Sequence, residues 1–186
     1  MTDIHWLNPV SGDFNTGTNW SGGAVPGISD NATLGVLGGT PYTVTEGGND
    51  QIQTLQVAAN ATLDIGVSVY QQSNFQALAD GANAGTIDVK AGIFVLGGGT
   101  FANTGTISAT AQIGFQSVVT TLTGGGQVQL NDPHISFGGI YGGSLDNVDN
   151  TIVGSGFVNG PITNGAAGVI DANGAGNGIA FLGGNM

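Results

Sequence analysis

Three aspartates directly follow a branched aliphatic residue that recurs along the chain about every 20 residues, namely Asp64, Asp88 and Asp171. In an alternating strand the aliphatic side chain points into the core, so the carboxylate after it points outward. If the strands of Asp64 and Asp88 stack, these two carboxylates become neighbours in one column, and like charges directly opposite are destabilising. A calcium ion held by carboxylates and backbone carbonyls would relieve that repulsion. Asp64 and Asp88 are therefore candidate calcium ligands, and the alternative is a pair of surface acids partly compensated by Lys90.

Four threonines come directly before one of these recurring aliphatic residues and are expected to form an outward column: Thr62, Thr86, Thr106 and Thr151. A flat ladder of threonines can order water and bind ice, or it can contact the hydroxyls of a glycan. The alternative is that threonine is present only for its strand propensity. Gln127 and Val169 occupy the corresponding positions of two other units and interrupt the column, which weakens the ice-binding interpretation.

A short segment after the run Gln127–Leu130 combines a labile Asp-Pro bond with a histidine, at Asp132, Pro133 and His134. It is similar to the Asp-Pro-His step at which some extracellular modules cleave themselves. Proline restricts the residue before it, and histidine can move a proton. The alternative interpretation is a plain loop after a strand.

Conventional catalytic centres find little support in the residues present. A nucleophilic triad needs a histidine beside a nucleophile and an orienting acid, and the chain has only His5 and His134. Two histidines without cysteine also disfavour a zinc site. Paired carboxylates of the glycosidase kind stay open because outward aspartate columns are expected. The sequence predicts a protein that is not an enzyme and has no cofactor other than the calcium considered above.

Composition and charge exclude further classes. The 186 residues include 36 glycines, 12 acidic residues and one lysine, with no arginine or cysteine, and the formal charge is −11. A chain with one cation cannot neutralise a row of phosphates, so nucleic acid is excluded as a partner. No apolar run is long enough to span a bilayer as a helix, so membrane insertion is not expected. The hydrophobic content of 40% argues against disorder.

The elements that would position these residues are short strands. Alternating runs bounded by Gly and Asn recur, among them Thr86–Val89 and Gln127–Leu130, and no helical periodicity persists beyond a turn or two. The chain is therefore predicted to be all-β.

A repeat of about 20 residues organises these strands. A small residue, then usually Thr, then a branched aliphatic residue recurs at intervals of 18 to 24 residues, with these markers: Leu63, Ile87, Ile107, Val128, Ile152 and Ile170. Asparagines often lie just upstream, where turns would use their tolerance of left-handed backbone: Asn60, Asn83, Asn103 and Asn164. Short strands with Gly and Asn corners at this interval are typical of a right-handed parallel β-helix in which each coil stacks on the previous one. The marker residues are then predicted to form an inward stack.

Two regions are expected along the chain. Residues 1–40 contain both tryptophans and are predicted to form an N-terminal aromatic cap and the first coil. Residues 41–186 are predicted to form β-solenoid coils of about 20 residues each. A solenoid exposes an open sheet edge at each end, and bulky aromatic residues suit a plug for one of them. The other end shows no obvious cap, which favours self-association end to end.

This arrangement resembles the Gly-, Asn- and Thr-rich β-helical repeat regions of large bacterial secreted and surface proteins, such as autotransporter passengers and haemagglutinin-like adhesins. The residues that carry the likeness are the segments starting at Trp6-Leu-Asn-Pro-Val-Ser-Gly-Asp, Tyr42-Thr-Val-Thr and Leu145-Asp-Asn-Val-Asp-Asn-Thr-Ile. The resemblance implies a non-enzymatic extracellular stalk, adhesin or scaffold at the bacterial surface, with copies of itself, other surface proteins or glycans as partners. The architecture also resembles β-helical polysaccharide lyases, whose chemistry relies on Arg or Lys beside calcium, and Lys90 is the single basic side chain here. A carbohydrate-active or carbohydrate-binding β-helix is the alternative, followed by a calcium- or ice-binding module.

Overall fold

The structure, a computed structural model, describes residues 1–35, 39–67, 72–132, 139–173 and 178–182. The side chains of residues 117 and 118 lie outside this description. The strands, numbered β1 to β20 along the chain, pair in parallel and wind into a β-solenoid of about six turns. Two 3₁₀ turns, Gly17–Asn19 and Ser21–Gly23, interrupt the N-terminal region. The all-β, parallel β-helical fold predicted from the sequence is confirmed.

The pairings define three columns of strands, which we call faces 1, 2 and 3 in the order in which each turn visits them. Face 1 contains β2 (Gly12–Asp13), β4 (Tyr42–Glu46), β7 (Ala61–Ile65), β10 (Thr86–Val89), β13 (Thr106–Ala109), β15 (Gln127–Asn131), the first part of β17 (Thr151–Asn159) and β19 (Val169–Asp171). Face 2 contains β5 (Gln51–Ile52), β8 (Ser73–Ala77), β11 (Gly92–Leu96), the first parts of β14 (Gln112–Thr123) and β16 (Gly139–Asn147), the end of β17 and β20 (Ile179–Phe181). Face 3 contains β1 (Thr2–His5), β3 (Asp30–Leu34), β6 (Thr54–Val57), β9 (Gly81–Asn83), β12 (Gly99–Asn103), the ends of β14 and β16, and β18 (Ile162–Asn164).

The marker aliphatic residues of the repeat pair with one another strand by strand along face 1. Leu63 pairs with Ile87, and the register continues without a slip through the remaining markers to Ile170. Val44 adds one more member at the N-terminal side. The markers from Leu63 to Ile152 are at most 3% exposed, and Ile170 packs partly buried against the core. The inward stack predicted from the repeat is therefore confirmed.

An aromatic cluster closes the N-terminal end of the core. Trp6, Phe14 and Trp20 are at most 3% exposed, and their rings contact edge to face with centroids 5.0 Å apart. Phe14 then contacts Phe75, which stacks on Phe94, so the rings of the cap continue into the solenoid. Edge-to-face contacts of this kind stabilise beyond the area that they bury. The predicted aromatic cap is confirmed.

The corner that leads from face 3 into face 1 is built from glycine and buried asparagine. A Cβ atom on Gly105 would overlap the carbonyl oxygen of Gly85 one coil earlier, and a Cβ on Gly85 would overlap that of Ala61. Gly85 and Gly105 therefore leave no room for a side chain, whereas Ala61 and Asn150 occupy the equivalent position in other coils.

The asparagines beside this corner hydrogen-bond between coils, and four of the five point into the protein. We call this set the asparagine ladder: Asn83, Asn103, Asn147, Asn150 and Asn164. The first four are 0% exposed. Asn83 Nδ2 donates to Asn103 Oδ1 at 2.8 Å, and Asn103 Nδ2 donates to Asn150 Oδ1 at 2.9 Å. Asn147 Nδ2 donates to Asn164 Oδ1 at 2.7 Å. The sequence predicted Asn83, Asn103 and Asn164 at turns, whereas the structure places them as the last residues of β9, β12 and β18. The buried members of the ladder satisfy polar groups inside the corner.

Candidate functional site

Face 1 presents two outward columns that contain the residues singled out in the sequence. The first runs through Thr43, Thr62, Thr86, Thr106, Gln127, Thr151 and Val169. The second runs through Thr45, Asp64, Asp88, Ser108, Gln129, Val153 and Asp171. The threonines do align in one column, with Thr43 as an additional member, and Gln127 and Val169 do interrupt it. The role of this column as an ice- or glycan-binding surface stays a prediction.

The carboxylates of Asp64 and Asp88 are neighbours, as the repeat requires, and Lys90 lies between them. Lys90 Nζ is 2.6 Å from Asp64 Oδ2 and 3.6 Å from Asp88 Oδ2. The hydrogen bond to Asp64 is the main cause that raises the pKa of Lys90 above its ordinary value, so the amine stays charged. Within the part of the chain that the structure describes, no three His, Cys, Asp or Glu side chains are grouped to hold a metal ion. The cation that screens this acidic pair is therefore an ammonium group, while calcium binding at Asp64 and Asp88 stays a prediction.

Replacing Lys90 by methionine separates the two interpretations of this pair. Methionine keeps an unbranched stem and removes the charge, so the two carboxylates are left facing each other. We expect the melting temperature to fall by about 2 to 4 °C, since a half-exposed ion pair contributes up to ~1 kcal/mol. Millimolar calcium is expected to restore part of this loss in the variant and to leave the natural chain unchanged, as measured by differential scanning calorimetry.

The matched control adds Asp64→Asn to Lys90→Met, which removes the like-charge pair and should abolish the response to calcium. If calcium stabilised the natural chain as much as it stabilises the Lys90→Met variant, the chain would have a metal site that does not depend on Lys90.

A groove runs along the corner between faces 1 and 2, and we call it the corner groove. Its volume is about 680 Å³. The residues at its base are buried, namely Ala91, Ala111 and Asp132. On one side lie Lys90 and Thr110, which directly follow β10 and β13 of face 1, and on the other lie Asn74, Ile93 and Gln112 of face 2. Asn49 and Gln72 extend it toward the N-terminal end with exposed side chains. No sequence motif predicts this groove, because it forms where two faces meet and its residues come from several coils.

A second cluster that the sequence did not single out surrounds Glu46 at the N-terminal end of face 1. Glu46 is 0% exposed and shares an inward column with Ile65 and the aliphatic residues beyond it. Gly48 N donates to Glu46 Oε1 at 2.6 Å, and Ser73 Oγ hydrogen-bonds Oε2. Burial, followed by a hydrogen bond with Asp50, raises the pKa of Glu46 to about 8. The alternation of Tyr42, Val44 and Glu46 could have revealed this inward carboxyl.

The proposed self-cleavage segment is only partly described. Asp132 is 5% exposed, and its backbone pairs with Ser155, whose hydroxyl donates to Asp132 O at 2.9 Å. Burial and then the charge of Asp132 raise the pKa of Tyr141. Pro133 and His134 lie outside the described residues. The other histidine, His5, is exposed at the far end of the molecule, in the first strand of face 3.

A scan against protein-family models found no match to this chain, and searches of curated proteins and of solved structures also found none. Its class therefore rests on its own geometry, which is that of a parallel β-solenoid. The resemblance to bacterial autotransporter and adhesin repeats rests on the residue pattern alone. Among the described residues, no helix is long and apolar enough to cross a lipid bilayer.

Proposed function

We propose that this chain is a non-enzymatic structural and adhesive segment of a bacterial extracellular or surface protein. The observation that carries the proposal is the unbroken register of face 1, in which equivalent residues stack on one another from β4 to β19. Such a stack makes a rod of fixed length, since each coil adds about 4.8 Å. Its outward columns are mainly hydroxyl and amide groups, which suit contact with polar partners.

Three features of the interior support a scaffold role. A continuous core runs through all three faces, the aromatic cap covers one end of it, and the asparagine ladder joins coils at a corner. Each coil contacts mainly its neighbours, as in other repeat architectures, so the rod resists local opening wherever coils are stacked on both sides.

End-to-end self-association, expected from the sequence, belongs to this proposal. In the last described coil, Ile162, Ile170 and Ile179 are only partly buried against the core. These side chains are the surface through which a further coil would pack. Sedimentation over a range of concentrations tests this, and a single monomeric species throughout would contradict it.

Trypsin provides the test of the scaffold role because Lys90 is its single site in the chain. The backbone there is tied to both neighbouring coils: Lys90 N donates to Ile65 O at 2.9 Å, and Lys90 O accepts from Thr110 Oγ1 at 3.2 Å. Cleavage requires this segment to leave the stack, so it follows the opening of the solenoid. We expect the native chain to stay intact for hours and the heat-unfolded chain to give fragments 1–90 and 91–186, as followed by mass spectrometry.

The matched control introduces a second site at an exposed bend. Val10 is 64% exposed, so Val10→Lys should be cut rapidly at the new lysine while Lys90 stays protected. Rapid native cleavage at Lys90 would show that the coils open readily and would contradict a rigid scaffold.

A further inference from the structure

The corner groove continues across neighbouring coils. Asn74, Ile93 and Gln112 pair in register on neighbouring strands of face 2, so one side of the groove repeats at about 4.8 Å. Lys90 and Thr110 form the other side, and Thr110 Oγ1 donates to Lys90 O at 3.2 Å. The groove therefore spans three neighbouring strands, about 10 Å from Asn74 to Gln112. Its shape favours an extended ligand that lies along the solenoid axis.

From this shape and from the chemistry of its sides, we propose that the corner groove binds a neutral oligosaccharide of several sugar units. The inference rests on the adhesive role proposed above and names its ligand class.

The side chains of the groove match the groups that a sugar chain offers. The amides of Asn49, Gln72 and Gln112 each provide donors and an acceptor, which is the pairing that a hydroxyl group needs. Ile93 is half-buried and Ala111 is 8% exposed, and both present apolar surface to the groove. A few convergent polar groups beside apolar surface are characteristic of ligand sites, and here they fit the polar edges and the C–H faces of sugar rings.

Charge distinguishes a neutral ligand from an anionic one. Lys90 is the single basic side chain, and its ammonium group is already engaged by Asp64 and Asp88. Asp132 adds an acidic residue at the base of the groove, in a chain of formal charge −11. The field of such a surface repels polyanions and leaves neutral chains unaffected. Acidic polysaccharides are therefore excluded by the same side chains that favour a neutral one.

The test is a titration of the full chain with neutral oligosaccharides, followed by saturation-transfer NMR and calorimetry. Cello-, xylo-, malto- and chito-oligosaccharides of four or more units are the probes, with oligogalacturonate as the anionic comparison. We expect at least one neutral series to bind, with affinity that rises from the monosaccharide to the tetramer. In the Gln72→Ala/Gln112→Ala variant the affinity should fall about tenfold, because two hydrogen-bonding amides contribute together ~1.4 kcal/mol.

Gln56→Ala is the matched control, since Gln56 is an exposed strand glutamine on face 3, away from the groove. It should bind as the natural chain does, and melting curves show that each variant is folded. Absence of binding by every neutral series at millimolar concentration overturns the proposal, as does equal affinity in the groove variant or preferential binding of oligogalacturonate. If the chain resisted trypsin but bound no sugar, the proposed oligosaccharide binding would be refuted and the scaffold role would stand.

Discussion

Replacing Asn103 by alanine is expected to lower the melting temperature by about 10 °C, although the change removes no apolar contact of the core. Asn103 is 0% exposed and lies at the centre of the asparagine ladder. Its Nδ2 donates to Asn150 Oδ1 at 2.9 Å and to Gln127 O at 3.1 Å, while its Oδ1 accepts from Asn83. Alanine makes none of these hydrogen bonds, so Asn150 Oδ1, Gln127 O and Asn83 Nδ2 each lose the partner that Asn103 provided.

The size of the effect follows from the cost of burying unsatisfied polar groups. Each orphaned group costs roughly 1 to 3 kcal/mol, and Asn83 keeps a second acceptor in Thr106 O. A total of about 4 kcal/mol is therefore expected, and for a chain of this size each kcal/mol shifts the melting temperature by roughly 2 to 4 °C. Calorimetry of both proteins at one pH measures the shift.

Asn131→Ala is the matched control for this prediction. Asn131 also lies in a strand, but its side chain is exposed and donates a single hydrogen bond to Ser108 Oγ. It should change the melting temperature by no more than about 2 °C. If Asn103→Ala were as mild as the control, the ladder would not hold the coils together.

The register of face 1 could be predicted from the sequence because one physical rule governs it. In a parallel stack each coil aligns its inward aliphatic residue with that of the next coil, so a marker such as Ile87 identifies its partners by spacing alone. The same rule placed Asp64 beside Asp88. Variation in repeat length did not disturb face 1, whose strands pair without a register shift, and the shift between Phe115 and Val119 lies in β14, away from face 1.

Other features could not be predicted because they depend on how faces meet. An asparagine before a strand can serve a turn or fill a corner, and the sequence around Asn103 is compatible with both. The corner groove arises from the angle between two faces, and Gln72 and Gln112 belong to different coils. Glu46 is different, since the alternation in β4 marks it as inward.

Glu46 is held in its neutral form by its surroundings. Its column continues into Ile65, so the carboxyl has apolar neighbours on the side of the core. Asp50 Oδ2 is buried without a hydrogen-bond donor among the described residues. The hydrogen bond between the two carboxyl groups forms only when one of them is protonated, and Glu46 is the group whose pKa rises. Asp13 adds a further negative charge nearby and acts in the same direction.

This arrangement makes the stability of the chain depend on pH in a defined direction. The folded chain binds a proton at Glu46 up to a pKa of about 8, whereas the unfolded chain releases it near 4.5. Between these values the native state holds more protons than the unfolded state, so the contribution of Glu46 becomes less favourable as pH rises and is constant above pH 8. The opposite direction would apply to a carboxylate stabilised by a salt bridge.

Glu46→Gln is expected to remove this dependence. The glutamine oxygen can accept from Gly48 N, and its amide can donate to Asp50 or to Ser73, so the variant keeps the hydrogen bonds of the protonated acid at every pH. At pH 9 the variant should melt about 10 °C above the natural chain, and near pH 4.5 the two should melt together. Asp171→Asn, the same change at an exposed acid, should give a difference that does not vary across this range.

Because Glu46 is the single glutamate of the chain, selective ¹³C labelling of glutamate yields one carboxyl resonance, and its titration reports this group alone. A midpoint near 8 in the folded protein is the expected result. A midpoint near 4.5 would mean that the hydrogen bonds with Gly48 and Ser73 stabilise the carboxylate despite its burial. The difference in melting temperature between Glu46→Gln and the natural chain would then not change with pH. The NMR titration and the melting curves must give the same pKa for Glu46. The proton that shifts the carboxyl resonance is the same proton that Glu46 releases when the chain unfolds.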